Sequence, residues 1–162
     1  MIREIPTEKI EIRPMVEEDL DAVMEIERHS FKAPWSRQVF REELVREWAY
    51  LRVATPGDDR AATGFINFWL VRDEIHILNI ATHPMFRQRG IASALLAQTI
   101  AFAREHDVRH LTLEVRRSNH TAIRMYRSFD FRPIGVRPKY YAEDREDAIV
   151  MLLTLEPDAG PV

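Results

Sequence analysis

The chain contains no cysteine, which excludes disulfide scaffolds, thiolate zinc sites and a cysteine nucleophile. Glycine is scarce, with five residues in 162. There is no Gly-Lys-Ser/Thr loop and no set of three spaced glycines with a later acid, so ATP-type and NAD-type sites fall away. Long apolar runs are missing too, and none approaches the length needed to span a membrane. Residues 1–6 lack a long apolar core and a cleavage-like ending, so a cytoplasmic protein without membrane contact is expected. Nor is there an excess of one charge: 23 Lys and Arg stand against 26 Asp and Glu, a formal charge of −3. With no basic stripe to follow a phosphate backbone, nucleic acid is not expected as a direct partner. The six histidines show no metal-like spacing, and no metal is expected.

What is present fits one domain over 1–162, with a core from about 10 to 155 and a loose tail over 156–162. A short strand is predicted over 10–13, ended by Pro14. A helix follows over 17–28, with Leu20, Val23 and Met24 on one face behind an acidic first turn. Ser36 is a candidate N-cap for a second helix reaching about residue 47. Strands over 50–55, 64–71 and 75–82 should form an antiparallel meander, the first two joined by the turn-rich 56–59. A long helix over 90–105, a strand over 110–115 and a shorter helix over 121–129 come next. Strands over 133–140 and 148–155 then flank a polar hairpin loop. This order indicates an α/β (α+β) fold whose central sheet is partly antiparallel and partly parallel. In such a sheet ligands sit beyond the carboxyl ends of the parallel strands, here near Thr82 and Val115.

The first of those ends carries the most informative segment. Asn79-Ile80-Ala81-Thr82-His83-Pro84 runs into Arg87-Gln88-Arg89-Gly90-Ile91-Ala92 and then the long helix. Amides from Gln88 to Ser93 can point at a pyrophosphate, Arg87 and Arg89 add charge, and Gly90 permits close approach. An ordinary basic helix start would read the same way.

Arg87-Gln88-Arg89-Gly90-Ile91-Ala92 resembles the acetyl-CoA signature Arg/Gln-x-x-Gly-x-Gly/Ala of the GNAT N-acetyltransferases. The resemblance continues through Leu113-Glu114-Val115-Arg116, Ser118-Asn119, Ala122-Ile123, Met125-Tyr126, Tyr140-Tyr141 and Arg145-Glu146-Asp147-Ala148, over about 10–155. There it is similar to the branch that acetylates the N-terminal alanine of ribosomal protein S18. Two positions depart from the pattern: Ala92 replaces a frequent second glycine, and Asp130 stands where the helix usually ends in glycine. Alanine still leaves room for a phosphate, and aspartate tolerates a left-handed helix end.

The resemblance implies a GNAT fold with helices on both faces of the sheet, acetyl-CoA as cosubstrate, and a protein N-terminus as acceptor. It places Ile80, Ala81, Thr82, Arg87, Gln88, Arg89, Gly90, Ile91, Ala92, Ser93 and Asn119 at the donor. A monomer or weak dimer is expected. Glu114 would be the general base and Tyr126 the general acid. By residue pattern alone, Glu114 is a strand glutamate opposite the leucines and valine of Leu111-Thr112-Leu113-Glu114-Val115. Likewise Tyr126 shares a helical face with Ala122 and Phe129 and would belong to the core. Asn119 reads as a helix cap or as a group reaching the pantetheine arm. Phe31, Pro34 and Trp35, with Tyr140 and Tyr141, are candidate walls for an entering peptide. Packing on the core is the alternative for Phe31 and Trp35. A lysine or small amine as acceptor, or a non-catalytic CoA-binding module, are the competing functions.

Overall fold

The structure, a computed structural model, describes residues 9–57 and 61–157. The first eight residues, part of the expected 56–59 turn and the tail beyond 157 lie outside these. Seven strands form one sheet: β1 (Glu11–Pro14), β2 (Ala49–Thr55), β3 (Gly64–Val71), β4 (Glu74–Thr82), β5 (His110–Arg116), β6 (Arg132–Arg137) and β7 (Ala148–Thr154). Their spatial order is β1-β2-β3-β4-β5-β7-β6, with every pair antiparallel except β4–β5. The expected meander is β2–β3–β4. The single parallel pair needs a crossover, which α3 (Ile91–Glu105) supplies.

Helices α1 (Leu20–Ser30) and α2 (Arg37–Leu44) cover one face of the sheet, burying Leu20, Val23, Ile26 and Phe40 against Val53 and Phe65. Helix α3 and α4 (His120–Ser128) cover the other, where Leu95, Leu96, Phe102 and Tyr126 meet Phe68, Ile77, Leu111 and Leu113. The sheet is therefore apolar on both sides, and two clusters replace one.

Several boundaries move for identifiable reasons. The first helix begins as a 3-10 turn over Glu17–Asp19 before α1 proper. Ser36 caps α2 through Val39 N at 3.3 Å. That helix stops at Leu44 rather than near 47, because the Trp48 carbonyl already accepts from Leu70 N of β3 at 2.8 Å. Strand β6 ends at Arg137 rather than at 140, since Lys139 is left-handed (φ 51°) and its amide turns to Asp147 Oδ1 at 2.9 Å. Asp130 closes α4 at φ 71°.

One irregularity shapes the site. Asn67 of β3 faces Asn79 of β4, but the next pair is Phe68 with Ile77, so Leu78 is an extra residue, a bulge. Before it, odd-numbered Ile75 and Ile77 face α3; after it, Ile80 packs on that side, while Ala81 buries toward α1. Parallel pairing of β4 with β5 stops at Ile77–Leu113, and the ends of both strands diverge into a wedge.

Candidate active site

The wedge opens into a cleft of about 650 Å³. It is lined by Ile80, Ala81, Thr82, Arg87, Gln88, Gly90, Ile91, Ala92, Ser93 and Asn119, ten of the residues expected at the donor. Arg89 is not on this lining; its guanidinium lies 5.1 Å over the Phe86 ring. Val115, Ala122 and Met125, from segments that carry the family resemblance, are also on the wall, and Ser30, Phe86 and Thr121 join it without having stood out in the sequence, because an apolar or small residue carries no local chemical signal.

At the cleft's mouth the chain makes a compact turn with Gln88 (φ 62°) and Gly90 (φ 78°) both left-handed. Gly90 is the N-cap of α3 and has no side chain to satisfy the first amides. The first helical bond runs from Ala94 N to Gly90 O at 2.9 Å. The amides of Ile91, Ala92 and Ser93 are therefore left by helix geometry to face an incoming group. Three such donors at the positive end of a helix dipole, with Arg87 beside them, form a donor set that fits a pyrophosphate. Asn119 reconciles its two readings: Oδ1 caps Ala122 N at 3.2 Å while the residue also lines the cleft.

Tyr126 meets both of its readings as well. It is buried, its ring 5.7 Å from that of Phe131, and it borders the cleft. Burial holds its phenol well above the ordinary value, so it stays protonated.

Glu114 stands on the opposite side of β5 from Leu111, Leu113 and Val115, with its side chain 12% exposed. Its Oε2 pairs with His76 Nε2 at 2.7 Å and its Oε1 lies 3.4 Å from Arg137 Nε. The His76 hydrogen bond, chiefly, keeps its carboxyl below the usual value against the opposing effect of burial. His76 was not expected here. Its partner stands on a strand that follows only after α3, so the pair exists only through the β4–β5 register, in which His76 faces Thr112.

The β6–β7 hairpin is built around Arg116, which binds Glu143, Asp144 (2.9 Å) and Glu146 (3.2 Å) and lies 3.9 Å from the Tyr141 ring centroid. Tyr140 and Tyr141 occupy the turn after β6, so Tyr140 is not the end of the strand expected over 133–140. Their rings meet edge to face at 5.1 Å. Tyr140 is exposed, and burial pushes the Tyr141 phenol up to about 12. Lys32 of the α1–α2 loop reaches across to Asp144 at 2.5 Å, joining loop to hairpin. Neighbouring Trp35 packs on Phe40 at 5.3 Å, and Phe31 adjoins the same cluster. Pro34 and Trp35 border a separate hollow of about 280 Å³ against α1, not the cleft.

Beneath that loop lies Glu27, 1% exposed. It accepts from Trp35 N at 3.2 Å and from Asn79 Nδ2 at 3.2 and 3.4 Å. Desolvation outweighs both bonds and raises its carboxyl from 4.5 to about 7.

The family model described as Acetyltransferase (GNAT) family matches residues 20–131. The chain belongs to the GNAT acetyltransferase family. Among its relatives, a Bacillus subtilis protein named putative ribosomal protein bS18-alanine N-acetyltransferase is 37% identical over 147 residues, covering 91% of this chain and 97% of the relative. The ribosomal protein bS18-alanine N-acetyltransferase of Salmonella typhimurium is 37% identical over 139 residues, or 85% and 92% of the two chains. The crystal structure of the corresponding Escherichia coli enzyme superposes with a TM-score of 0.84 at 31% identity, covering 95% and 99%.

As a GNAT acetyltransferase, the chain needs Gly90 for its backbone rather than for space. A β-carbon there would meet no protein atom within 4 Å, yet φ is 78°. Gly90→Val forces a β-branched residue into the left-handed region, at about 1–2 kcal/mol. The Michaelis constant for acetyl-CoA is expected to rise about tenfold, with the fold retained by circular dichroism.

Proposed function

We propose that this acetyltransferase transfers the acetyl group of acetyl-CoA to the N-terminal α-amine of a protein, with the N-terminal alanine of ribosomal protein S18 as leading acceptor. The observation that carries the reading is a cleft lined by a pyrophosphate-shaped turn and bordered by Tyr126 and by Val115, whose neighbour on β5 is Glu114. The names of relatives at 37% identity support the choice of acceptor.

In this reading the pyrophosphate rests on the 87–93 turn and the thioester lies between the diverging strands. The amine enters between the α1–α2 loop and the Tyr140–Tyr141 turn. An α-amine has a pKa near 8, so much of it is protonated at neutral pH and only the free base attacks. As its nitrogen bonds to the thioester carbon, one of its two protons becomes strongly acidic and passes to Glu114, while the other stays on the amide nitrogen. That timing suits a carboxylate held below its ordinary value, which is too weak a base to strip the ammonium beforehand. Backbone amides near Ile80 and Ala81 receive the developing oxyanion. When the carbon–sulfur bond breaks, the Tyr126 hydroxyl donates to the departing thiolate. Burial keeps that phenol protonated until the sulfur leaves, so Tyr126 acts as the general acid, giving its proton to the thiolate and recovering one from solvent.

The test is a panel of acceptors incubated with acetyl-CoA and read by mass spectrometry: peptides with free N-terminal alanine, the same peptides N-blocked, lysine peptides and small amines. Acetylation confined to the free N-termini is expected. Acetylation of lysines or small amines with the N-terminal peptides untouched would overturn the reading, and acetyl-CoA binding without any transfer would favour a CoA-binding module.

A further inference from the structure

We infer that Glu27 is a positioning residue that fastens the acceptor-side loop, residues 31–35, to the bulged half of β4, so that acceptor and acetyl donor meet in register. This rests on the reading above, in which that loop borders the acceptor.

The geometry is specific. Glu27 lies in the last turn of α1, three residues before its end. Its carboxylate has no ion-pair partner among the described residues; its hydrogen bonds come from the Trp35 amide and the Asn79 side chain. Trp35 belongs to the loop. Asn79 directly follows the bulge residue Leu78 and directly precedes Ile80, which lines the cleft. One side chain thus bridges the two halves of the site, its partners standing 8 and 52 residues further along the chain.

The energetics point the same way. A carboxylate enclosed without a cation is costly, and filling this space asks only for an apolar side chain such as neighbouring Val23 or Ile26. The bonds to Trp35 and Asn79 offset part of that cost and are what an apolar residue would lack. Both bonded segments have few other polar ties, although Phe31 and Trp35 pack on the core. Beyond Ile77, β4 has lost its β5 neighbour and keeps only β3. The exposed loop residues Lys32, Ala33 and Pro34 are tied down by the Lys32–Asp144 pair at one end and by the Trp35 amide at the other. Asn79 Oδ1 and both amide atoms of Asn67 opposite it are buried without a partner among the described residues. Asn79 is therefore oriented by Glu27 alone among the side chains.

Three variants test this, using the acceptor that the wild-type enzyme acetylates fastest. Glu27→Met removes both accepted bonds at similar volume. Glu27→Gln keeps an acceptor for the Trp35 amide and, once the Asn79 amide flips, donates to Asn79 Oδ1. Glu27→Asp keeps the charge but is too short to reach both partners. Glu27→Met and Glu27→Asp are expected to raise the acceptor KM about tenfold, with kcat and the acetyl-CoA KM within about twofold of wild type, and Glu27→Gln to stay near wild type. A purely structural residue would lower stability without separating the two Michaelis constants. An unchanged acceptor KM in Glu27→Asp overturns the inference even if Glu27→Met does not fold, and so does a Glu27→Gln enzyme as impaired as Glu27→Met. If the fastest acceptor is not a peptide N-terminus, the proposed substrate fails, while the same comparison still decides the role of Glu27.

Discussion

Glu114→Gln is expected to lower kcat/KM about a thousandfold at pH 7, within the usual range for loss of a general base. The amide is isosteric, and its Oε1 can still accept from His76 Nε2, which approaches Glu114 at 2.7 Å. The fold and acetyl-CoA affinity should therefore hold, and the deficit belongs to proton transfer. Its pH dependence is the sharper test. The His76 hydrogen bond keeps the Glu114 carboxyl below its ordinary range, so it is ionised throughout the neutral region and contributes no titration there. In the wild type the rate should rise toward pH 8 as the acceptor amine, with a pKa near 8, loses its proton. In the variant the rate should keep climbing above that point, because hydroxide replaces the missing carboxylate as proton acceptor. Steady-state rates from pH 6 to 9.5 check this. A variant with the wild-type profile and rate would remove Glu114 from the role of base.

Glu27→Gln is expected to be more stable than the wild type at pH 8, by about 3 kcal/mol, with the difference fading below about pH 5. The cause is the burial that raises the Glu27 carboxyl from 4.5 to about 7. Between those values the folded protein holds a proton that the unfolded chain has released, so stability falls as pH rises through this window and levels off above it. Glutamine has no proton to lose and no charge to bury, and the difference between the two proteins isolates this one carboxyl from every other titrating group. Urea denaturation at pH 5, 6, 7 and 8 measures it. Curves that stay parallel across that range would mean that Glu27 keeps an ordinary pKa. This gain in stability is compatible with near-wild-type activity in Glu27→Gln, since stability depends on the charge and positioning on the hydrogen bonds.

Much of the architecture is local and was legible. Alternation assigned the inward residues of β5, helical spacing assigned α3, Ser36 announced the start of α2, and Gly90 marked the turn before α3. Each depends on residues within one or two turns of each other in the chain. The donor turn was legible for the same reason, since the amides, Arg87 and Gly90 are consecutive or nearly so.

The boundaries that moved had non-local causes. Residues 45–47 carry nothing that forbids helix; a hydrogen bond from β3 to Trp48 draws the chain into the sheet. Residues 138–140 read as strand until the Asp147 carboxylate captures the Lys139 amide from the far side of the hairpin.

By itself, then, the sequence determined which residues alternate, where helices start, and the turn that resembles a GNAT donor site. Tertiary structure alone decided the extra residue at Leu78, which exists only relative to β3, and with it the separation of β4 from β5. It also decided that His76 meets Glu114, that Arg116 collects the acids of the hairpin, and that Glu27 is enclosed between loop and strand. The physical reason is common to all four. Register, burial and the charge state of a carboxylate are set by partners distant in sequence, and no property of the residue itself records which partners those will be.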